Sequence, residues 1–432
     1  MNIKALLVAA FTAATAFGAS AQWSLDSCIN YAHEHNIDIK LRQVERQNAE
    51  YGVTEAKDGF LPTVSAGASQ NFGFGRGLTS ENTYANRNTQ NFSWSVGMDM
   101  PLFQGLSNVR RLDYAKANLR AMVSQVEAAK DDVTLNVMSQ YLQVLYCREV
   151  LKTAENQVTM SGDELQRRRV LAENGKIAEL DVFEAESQLA SDRLTQVNAA
   201  NDYTLALVDL AQILRLPDTD GFSVCEIDTV PQALPTVAEV FANALGSNNA
   251  MQAARLEVDA ADKNIALARS GYMPRLSLNA GLNSSYYRVN GYDNLSFGKQ
   301  MRENFSKYIG FTLTIPIFDA FSTRNSERRA RAAHTTAMLQ LDNQRNALYH
   351  NIQTAYHQAV ASRHKSDASA VAAQAAEASF RAVSDKYEFG RATPTEYNEA
   401  KSALFRARVN LIQARYESVL RARILEFYNR TL

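Results

Sequence analysis

The chain contains two stretches in which apolar residues alternate strictly with small or polar ones. Such a period-two pattern predicts β-strands with one apolar face. Each stretch is closed by a proline, Pro101 or Pro316, which has no N–H group to donate to a neighbouring strand, so we expect each strand to end near its proline. The apolar positions are Phe92, Trp94, Val96, Met98 and Met100 in the first stretch, and Ile309, Phe311, Leu313, Ile315 and Ile317 in the second.

A helical pattern follows each of these strands. After the first strand, Leu112, Leu119, Val126 and Val133 recur at sevenfold spacing, as in coiled coils. This spacing predicts a helix of roughly 65 residues, about 100 Å long at 1.5 Å per residue. Gly175 and Gly390 are helix-stop signals, and a returning helix follows each. The predicted helices span about 106–172 and 179–214 in the first half, and about 319–389 and 395–428 in the second.

These elements form one unit that occurs twice, at an offset of about 212 to 215 residues. A Gly-x-x-Pro motif precedes the first strand of each copy, and a Pro-x-Phe motif closes the second strand. The first copy covers 22–216 and the second 236–432, with a linker at 217–235 that carries turn residues. The predicted strands span about 62–74 and 91–103, and about 274–289 and 306–318.

Composition and the amino terminus narrow the possible classes of protein. Residues 1–21 have the pattern of a secretory signal peptide, which predicts a mature chain that starts at Gln22. The formal net charge of −1 argues against a nucleic-acid partner. The three cysteines are too few for a disulfide framework; one bridge is possible, and buried thiols are the alternative.

The four predicted strands have the length at which a tilted strand crosses a lipid bilayer, about ten residues. A spanning sheet must close on itself because lipid cannot satisfy an unpaired strand edge. Four strands are too few to close, since membrane barrels have at least about eight. A trimer would supply twelve strands and would gather the helical hairpins into one tube, whereas a dimer of eight strands remains open as an alternative.

Four features together resemble those of the TolC family of outer-membrane efflux proteins. They are the signal peptide, the two repeats, the paired strands between their glycine and proline motifs, and the hairpin tips with glycine and downstream acids. The resemblance covers the whole mature chain. It implies a mainly α fold with β-barrel strands, in which a homotrimer forms a twelve-stranded barrel in outer-membrane lipid and an α-helical barrel in the periplasm. It also implies two partners, a periplasmic adaptor and an inner-membrane pump of RND, ABC or MFS type.

The resemblance also assigns site residues. By position after the tip glycine, Glu396 and Glu399 match acids that ring a cation-selective constriction, and their spacing places them on one helical face. A second interpretation applies to Glu396, because Thr393 to Glu396 is a capping box in which Glu396 would bond the Thr393 amide. Capping does not explain Glu399.

The closed tips of family members are held by links between hairpins. Tyr387 and Asp181 occupy the positions of one such pair; the alternatives are coiled-coil packing for the tyrosine and a helix-start position for the aspartate. A second family link is not matched, since Ala392 and Leu180 stand at its positions. The surface that meets the adaptor is expected at the two tips, formed by Gly175, Lys176, Gly390 and Arg391.

The resulting hypothesis is a passive exit duct that exports small molecules, opened by an adaptor and without catalytic residues, cofactor or metal. His350, His357 and His364 lie about 10 Å apart along one helix, too far to share a metal ion. Three alternatives stay open: the exit duct of a type I protein secretion system, a non-conducting periplasmic coiled-coil scaffold, and an enzyme. The enzyme is the weakest, because the sequence offers no nucleophile–base set or phosphate loop.

Overall fold

The computed structural model describes residues 22–78, 82–219, 221–227 and 234–430. The predicted signal peptide at 1–21 and much of the linker, residues 220 and 228–233, lie outside these described ranges. The described chain is mainly helical. Its helices are α1 Leu25–His35, α2 Ile37–Asp58, α3 Ser107–Glu173, α4 Glu179–Leu214, α5 Val237–Ser247, α6 Asn249–Arg269, α7 Phe297–Glu303, α8 Ser322–Glu388 and α9 Pro394–Tyr428.

Within the described ranges, six strands are interleaved with these helices. The strands are β1 Thr63–Gly73, β2 Arg76–Leu78, β3 Tyr84–Asn86, β4 Thr89–Gln104, β5 Arg275–Val289 and β6 Ser306–Thr314. Strands β2 and β3 form a small separate hairpin, and the other four form one antiparallel sheet in the order β1-β4-β5-β6. Strands β1 and β6 are therefore the edges of this sheet, and neither has an outer neighbour within the described protomer.

The two faces of the sheet differ in chemistry. One face, here called the apolar face, carries Phe92, Trp94, Val96 and Met98 of β4, and the register places Leu278, Ala280, Leu282, Ile309 and Phe311 on the same side. The opposite face carries Ser93, Ser95, Asn279 and Asn283. Gly281 also lies on this polar face, where the Tyr308 ring crosses over its backbone. A Cβ at position 281 would lie 2.7 Å from the Tyr308 hydroxyl oxygen, so a glycine fits there and a larger residue would not.

One strand end agrees with the expectation and one differs from it. Strand β4 continues through Pro101 to Gln104, because a register shift between Pro101 and Phe103 absorbs the missing N–H group. Strand β6 stops at Thr314, short of Ile315 and Ile317, which continue the alternating pattern. The alternation therefore marks the strands but does not fix where their pairing ends.

The two long helical hairpins, α3–α4 and α8–α9, turn in the same way. Gly175 and Gly390 both adopt φ +68°, a left-handed conformation that favours glycine. At the first tip the Lys176 amide donates to the Leu171 carbonyl at 2.9 Å, and at the second the Arg391 amide donates to the Lys386 carbonyl at 2.8 Å. Both tips are thus Schellman motifs, in which the turn satisfies carbonyls that the helix end leaves free.

The chain divides into two compact units. One contains the hairpin ends and comprises residues up to 44, 124–252 and 343 onward; the other contains the sheet and comprises 45–123 and 253–342. Within the first unit, Tyr141 is fully buried and its hydroxyl donates to the carbonyls of Trp23 and Cys225, at 2.9 and 2.8 Å. These bonds join α3 to the amino-terminal segment and to the segment between the repeats.

All three cysteines are free thiols. Cys28 and Cys147 are buried, and burial raises the pKa of Cys28 to about 12.

Within the described residues no helix combines the length and the apolar character that crossing a membrane requires.

Candidate gate at the hairpin ends

Tyr387, near the end of α8, is held by both hairpins. Its hydroxyl donates to Glu164 of α3 at 2.6 Å. Its ring stacks on Tyr397 of α9, with centroids 4.8 Å apart, and Arg167 lies over the ring at 5.4 Å. Burial and the bond to Glu164 raise the pKa of Tyr387 to about 12, so the hydroxyl stays protonated as a donor at neutral pH.

Glu164 is also half of a buried ion pair. The Arg168 guanidinium donates to the Glu164 carboxylate at 2.8 Å, and the two side chains are only 3% and 10% exposed. Arg168 also donates to the backbone carbonyl of Asp181, at 2.9 Å, at the start of α4. The pair therefore satisfies its buried charges and connects the two helices of the first hairpin to Tyr387 of the second.

The structure gives Tyr387 a different hydrogen-bond partner from the expected one. The Asp181 carboxylate accepts from the amide of Ala178, at 3.2 Å, and so serves its own helix start. Tyr387 is connected to Asp181 indirectly: it donates to Glu164, Glu164 pairs with Arg168, and Arg168 donates to the backbone carbonyl of Asp181. We call this chain of four residues the tip linkage.

A second buried polar cluster, which the sequence analysis did not identify, joins the same hairpins. Lys401 of α9 is 2% exposed, and its ammonium group lies 3.0 Å from the Asp192 carboxylate of α4. Ser161 of α3 accepts from Lys401 and donates to Asp192. Gln188 donates to the other carboxylate oxygen of Asp192 at 3.0 Å. We call these four residues the lysine junction.

A sequence signal for the lysine junction exists. Lys401 falls between Tyr397 and Leu404, at the spacing of one helical face, and all three are buried. Asp192 continues the face of α4 that carries the buried Leu189. A lysine and an aspartate at apolar positions of two helices would each require a buried partner.

The two acids expected at the constriction differ in their surroundings. The Glu396 carboxylate accepts from the Thr393 amide at 2.7 Å, and the Glu396 amide donates to the Thr393 hydroxyl at 3.2 Å. The bonds that the Glu396 carboxylate accepts from the Thr393 amide and, to a lesser extent, from the Thr393 hydroxyl lower the pKa of Glu396. Glu399 lies one turn further on and is exposed. The capping box is therefore present, and both carboxylates are exposed; they differ because Glu396 accepts hydrogen bonds from the start of its own helix.

The tips themselves present charged and apolar side chains to solvent. Lys176 and Arg391 are exposed next to their tip glycines. Phe389, directly before Gly390, is 79% exposed, and Phe183 near the first tip is 57% exposed. Aromatic side chains of this exposure suit a surface that is covered by a partner.

Comparison with known proteins identifies the family. The chain matches the family model described as "Outer membrane efflux protein" over residues 28–214 and 240–426. It belongs to this family. The two matched segments correspond to the two repeats, which confirms the resemblance to TolC proteins that the motifs indicated.

Individual relatives agree with the family assignment. The chain is 26% identical over 427 residues to outer membrane protein TolC of Vibrio cholerae, covering 97% of this chain and 93% of the relative. It is 21% identical over 347 residues to alkaline protease secretion protein AprF of Pseudomonas aeruginosa, covering 79% and 70%. The solved structure of outer membrane protein VceC from Vibrio cholerae matches with a TM-score of 0.75 at 16% identity, covering 94% of this chain and 96% of VceC.

Family membership settles the class and location of the protein. It is an outer-membrane channel protein of the efflux and secretion family, with its helical part in the periplasm, and the family consists of conduits rather than enzymes. The mainly helical fold with an internal repeat is confirmed.

Among the described residues no three His, Cys, Asp or Glu side chains are grouped to hold a metal ion.

The lysine junction should stabilise the helical unit through paired charges. Replacing Lys401 with methionine leaves the Asp192 carboxylate buried without its cation, which should lower the free energy of unfolding by about 3–5 kcal/mol. Removing both charges, in Lys401→Met with Asp192→Leu, should restore much of this loss. Guanidinium unfolding of the detergent-solubilised protein, followed by helical circular dichroism, measures both effects.

A matched control is Lys365→Met, which breaks an ion pair with Glu417 whose side chains are 52% and 36% exposed. This change should cost no more than about 1 kcal/mol. Equal losses for Lys365→Met and Lys401→Met would show that the junction contributes no more than a surface ion pair.

The tip linkage should protect the end of α8 from opening. Tyr387→Phe keeps the ring stack but removes the bond to Glu164, and a hydrogen bond to a charged group contributes about 1.5–3 kcal/mol. Amide hydrogen exchange in the last turns of α8 should therefore accelerate roughly 10- to 150-fold. Tyr349→Phe is the control on the same helix, where the ring packs on Phe241; equal exchange in the two variants would contradict the linkage.

Proposed function

We propose that the protein is a homotrimeric channel that serves as the passive exit duct of a tripartite efflux pump and exports small molecules. The observation that carries the proposal is the family match over both repeats. In this hypothesis a periplasmic adaptor opens the helical end, and an inner-membrane pump of RND, ABC or MFS type supplies the energy. The protein itself performs no chemistry.

The sheet supports assembly into a closed ring of protomers. Its edge strands β1 and β6 present unpaired backbone groups, and exposed apolar residues such as Ile309 and Phe311 lie along β6 at 73% and 69% exposure. A strand edge cannot remain unpaired in lipid. Pairing β6 of one protomer with β1 of the next, three times, gives the twelve-stranded barrel that the hypothesis requires.

Helix α4 supports assembly in the same way. Six apolar residues fall on one face of it, as three pairs whose members are three positions apart, yet they remain open to solvent in the protomer. We call this row the exposed seam. It consists of Leu180, Phe183, Leu194, Val197, Leu205 and Val208, which are 65%, 57%, 62%, 63%, 53% and 42% exposed. A helix of a second copy is the occupant that this spacing fits.

Opening is proposed to be a shift between two populated states of the hairpin ends. Adaptor binding at Gly175, Lys176, Gly390 and Arg391 would favour the open state. The tip linkage, from Tyr387 through Glu164 and Arg168 to Asp181, would favour the closed one. The direct pairing of Tyr387 with Asp181 stays a prediction for other states of the gate.

The constriction is proposed to select cations through the acids after the second tip. Three copies of Glu399 in a narrow neck would attract cations and repel anions. Glu396 would add to this field, because its capping bonds keep the carboxylate ionised while fixing its position. Glu399 is therefore the acid on which selectivity should mainly depend.

A second candidate function is the exit duct of a type I protein secretion system. The similarity to a protein named for alkaline protease secretion favours it. The two functions share the channel and differ in cargo and partners. Deletion of the gene separates them: greater sensitivity to small toxic compounds with an unchanged set of secreted proteins supports efflux, and loss of a secreted protein with unchanged sensitivity supports secretion.

Single-channel recording in a planar bilayer tests the conduit and its neck. Wild-type channels should prefer cations, and Glu399→Gln should reduce the cation-to-anion permeability ratio several-fold, because three charges leave the constriction. Glu396→Gln should reduce it less and also weaken the start of α9. Glu34→Gln, an exposed change on α1, is the control. An unchanged ratio in both tip variants would contradict the acidic neck, and trimers that never conduct would support the scaffold hypothesis.

The exposed seam predicts how assembly can be broken. Leu194→Glu with Val197→Glu places charges in the seam, so the trimer should dissociate into monomers in mild detergent. Thr195→Glu adds one such charge to the same helix outside the seam and should leave the trimer intact; Leu194→Glu alone, with one charge inside the seam, is compared with it. Size-exclusion chromatography with light scattering measures the mass. Intact trimers in the double variant would show that the seam is not an interface between copies.

A further inference from the structure

Strand β5 extends beyond the strand that pairs with it. Its last pairing with β6 joins Asn283 to Ser306, yet β5 continues to Val289. The backbone groups on this side of residues 284–289 would be an unpaired edge. The segment 290–305, which contains α7, folds back against this part of the strand.

Three amide side chains take the place of the missing strand. Asn304 donates to the Ser285 carbonyl at 2.7 Å. Gln300 accepts from the Tyr287 amide and donates to its carbonyl, both at 3.0 Å. Asn294 does the same for Val289, at 3.0 and 2.8 Å. The partners are alternate residues of β5, so the side chains reproduce the spacing of a neighbouring strand.

The same segment is fixed to the apolar face of the sheet. The Phe297 ring lies 5.7 Å from Phe92 and 5.1 Å from Tyr286, measured between centroids. The Ser284 hydroxyl donates to the Met301 carbonyl at 2.8 Å, and Ser284 is 2% exposed. Helix α7 therefore covers one end of the apolar face, while Val96, Met98 and Phe311 continue that face beyond it.

The exposed side of this region is rich in cations. We call residues 288–307 the collar. Its exposed cations are Arg288, Lys299, Arg302 and Lys307, and its exposed carboxylates are Asp293 and Glu303. Lys299 forms an exposed ion pair with Glu303 at 3.9 Å, and the Lys307 ammonium lies 5.5 Å from the Phe305 ring centre.

We propose that the collar binds the phosphate groups of anionic lipids in the outer leaflet of the outer membrane. The apolar face of a membrane sheet contacts lipid tails, so a cationic segment that ends this face lies at the level of the headgroups. The amide-capped edge makes this position possible, because the side chains of Asn294, Gln300 and Asn304 pair backbone groups of Ser285, Tyr287 and Val289 where lipid would meet the strand. The proposal rests on the outer-membrane location and not on what the channel exports.

The position of tryptophan allows a direct test. The chain has two tryptophans, and Trp94 lies on the apolar face with its ring 6.3 Å from Phe305 of the collar. In a Trp23→Phe background, Trp94 fluorescence reports the lipids beside the collar. Quenching by brominated phosphatidylglycerol and by brominated phosphatidylcholine, in bilayers of matched composition, gives the relative binding of the anionic and zwitterionic lipid.

We expect phosphatidylglycerol to bind at least about fivefold better than phosphatidylcholine. Lys299→Gln with Arg302→Gln should reduce the preference about fivefold or abolish it. Lys116→Gln with Arg406→Gln removes two exposed cations from α3 and α9 and should leave the preference unchanged. The collar variant should keep the wild-type circular dichroism spectrum, since both side chains are exposed.

Two outcomes would overturn the proposal. Equal quenching by the two lipids in wild type, or an equal preference in wild type and collar variant, would mean that the collar does not recognise headgroups. Replacing chloride with inorganic phosphate at the same ionic strength should leave the preference for phosphatidylglycerol intact. If it abolishes the preference, the collar binds the free anion and the lipid assignment is wrong.

Discussion

The structure of this protein depends on one constraint, that backbone polar groups of a sheet in lipid must all be paired within protein. A sheet of four strands has two free edges, and β1 and β6 of this protomer are those edges. The constraint acts at two scales. Along the paired length of the sheet, the proposed ring of copies would supply the missing strands. Beyond the end of β6, Asn294, Gln300 and Asn304 supply hydrogen bonds within the protomer.

The helical hairpins, whose ends we propose form a gate, would meet the opposite requirement, because a gate must be closed and yet able to open. An apolar contact alone would hold the hairpins in many registers, whereas a buried ion pair is satisfied in one arrangement only. The tip linkage and the lysine junction are both of this kind, and each joins α3 and α4 to a helix of the second hairpin. Breaking either linkage exposes charge to water, where hydration offsets much of the lost attraction, so opening remains accessible.

Periodicity and repeats in the sequence were enough to predict the fold class, because strand alternation and heptad spacing are local properties. The ends of pairing were less predictable. Pro101 stays inside β4 because a bulge accommodates it, and β6 stops before Ile315 although the alternation continues. The site was predicted in part. The capping of Glu396 follows from three neighbouring residues, but the partner of Tyr387 lies 223 positions away, and only packing selects Glu164.

Capping also explains why the two tip acids should not be equivalent. Glu396 starts α9, where a carboxylate at the third position satisfies an amide that the helix leaves free. Its charge is therefore bound to the backbone, and moving it would weaken the helix. Glu399 lies outside the capping box, and its side chain is exposed. In the neck that we propose, one acid would fix the geometry and the other would line the passage, so that two carboxylates a single turn apart would serve structure and selectivity separately.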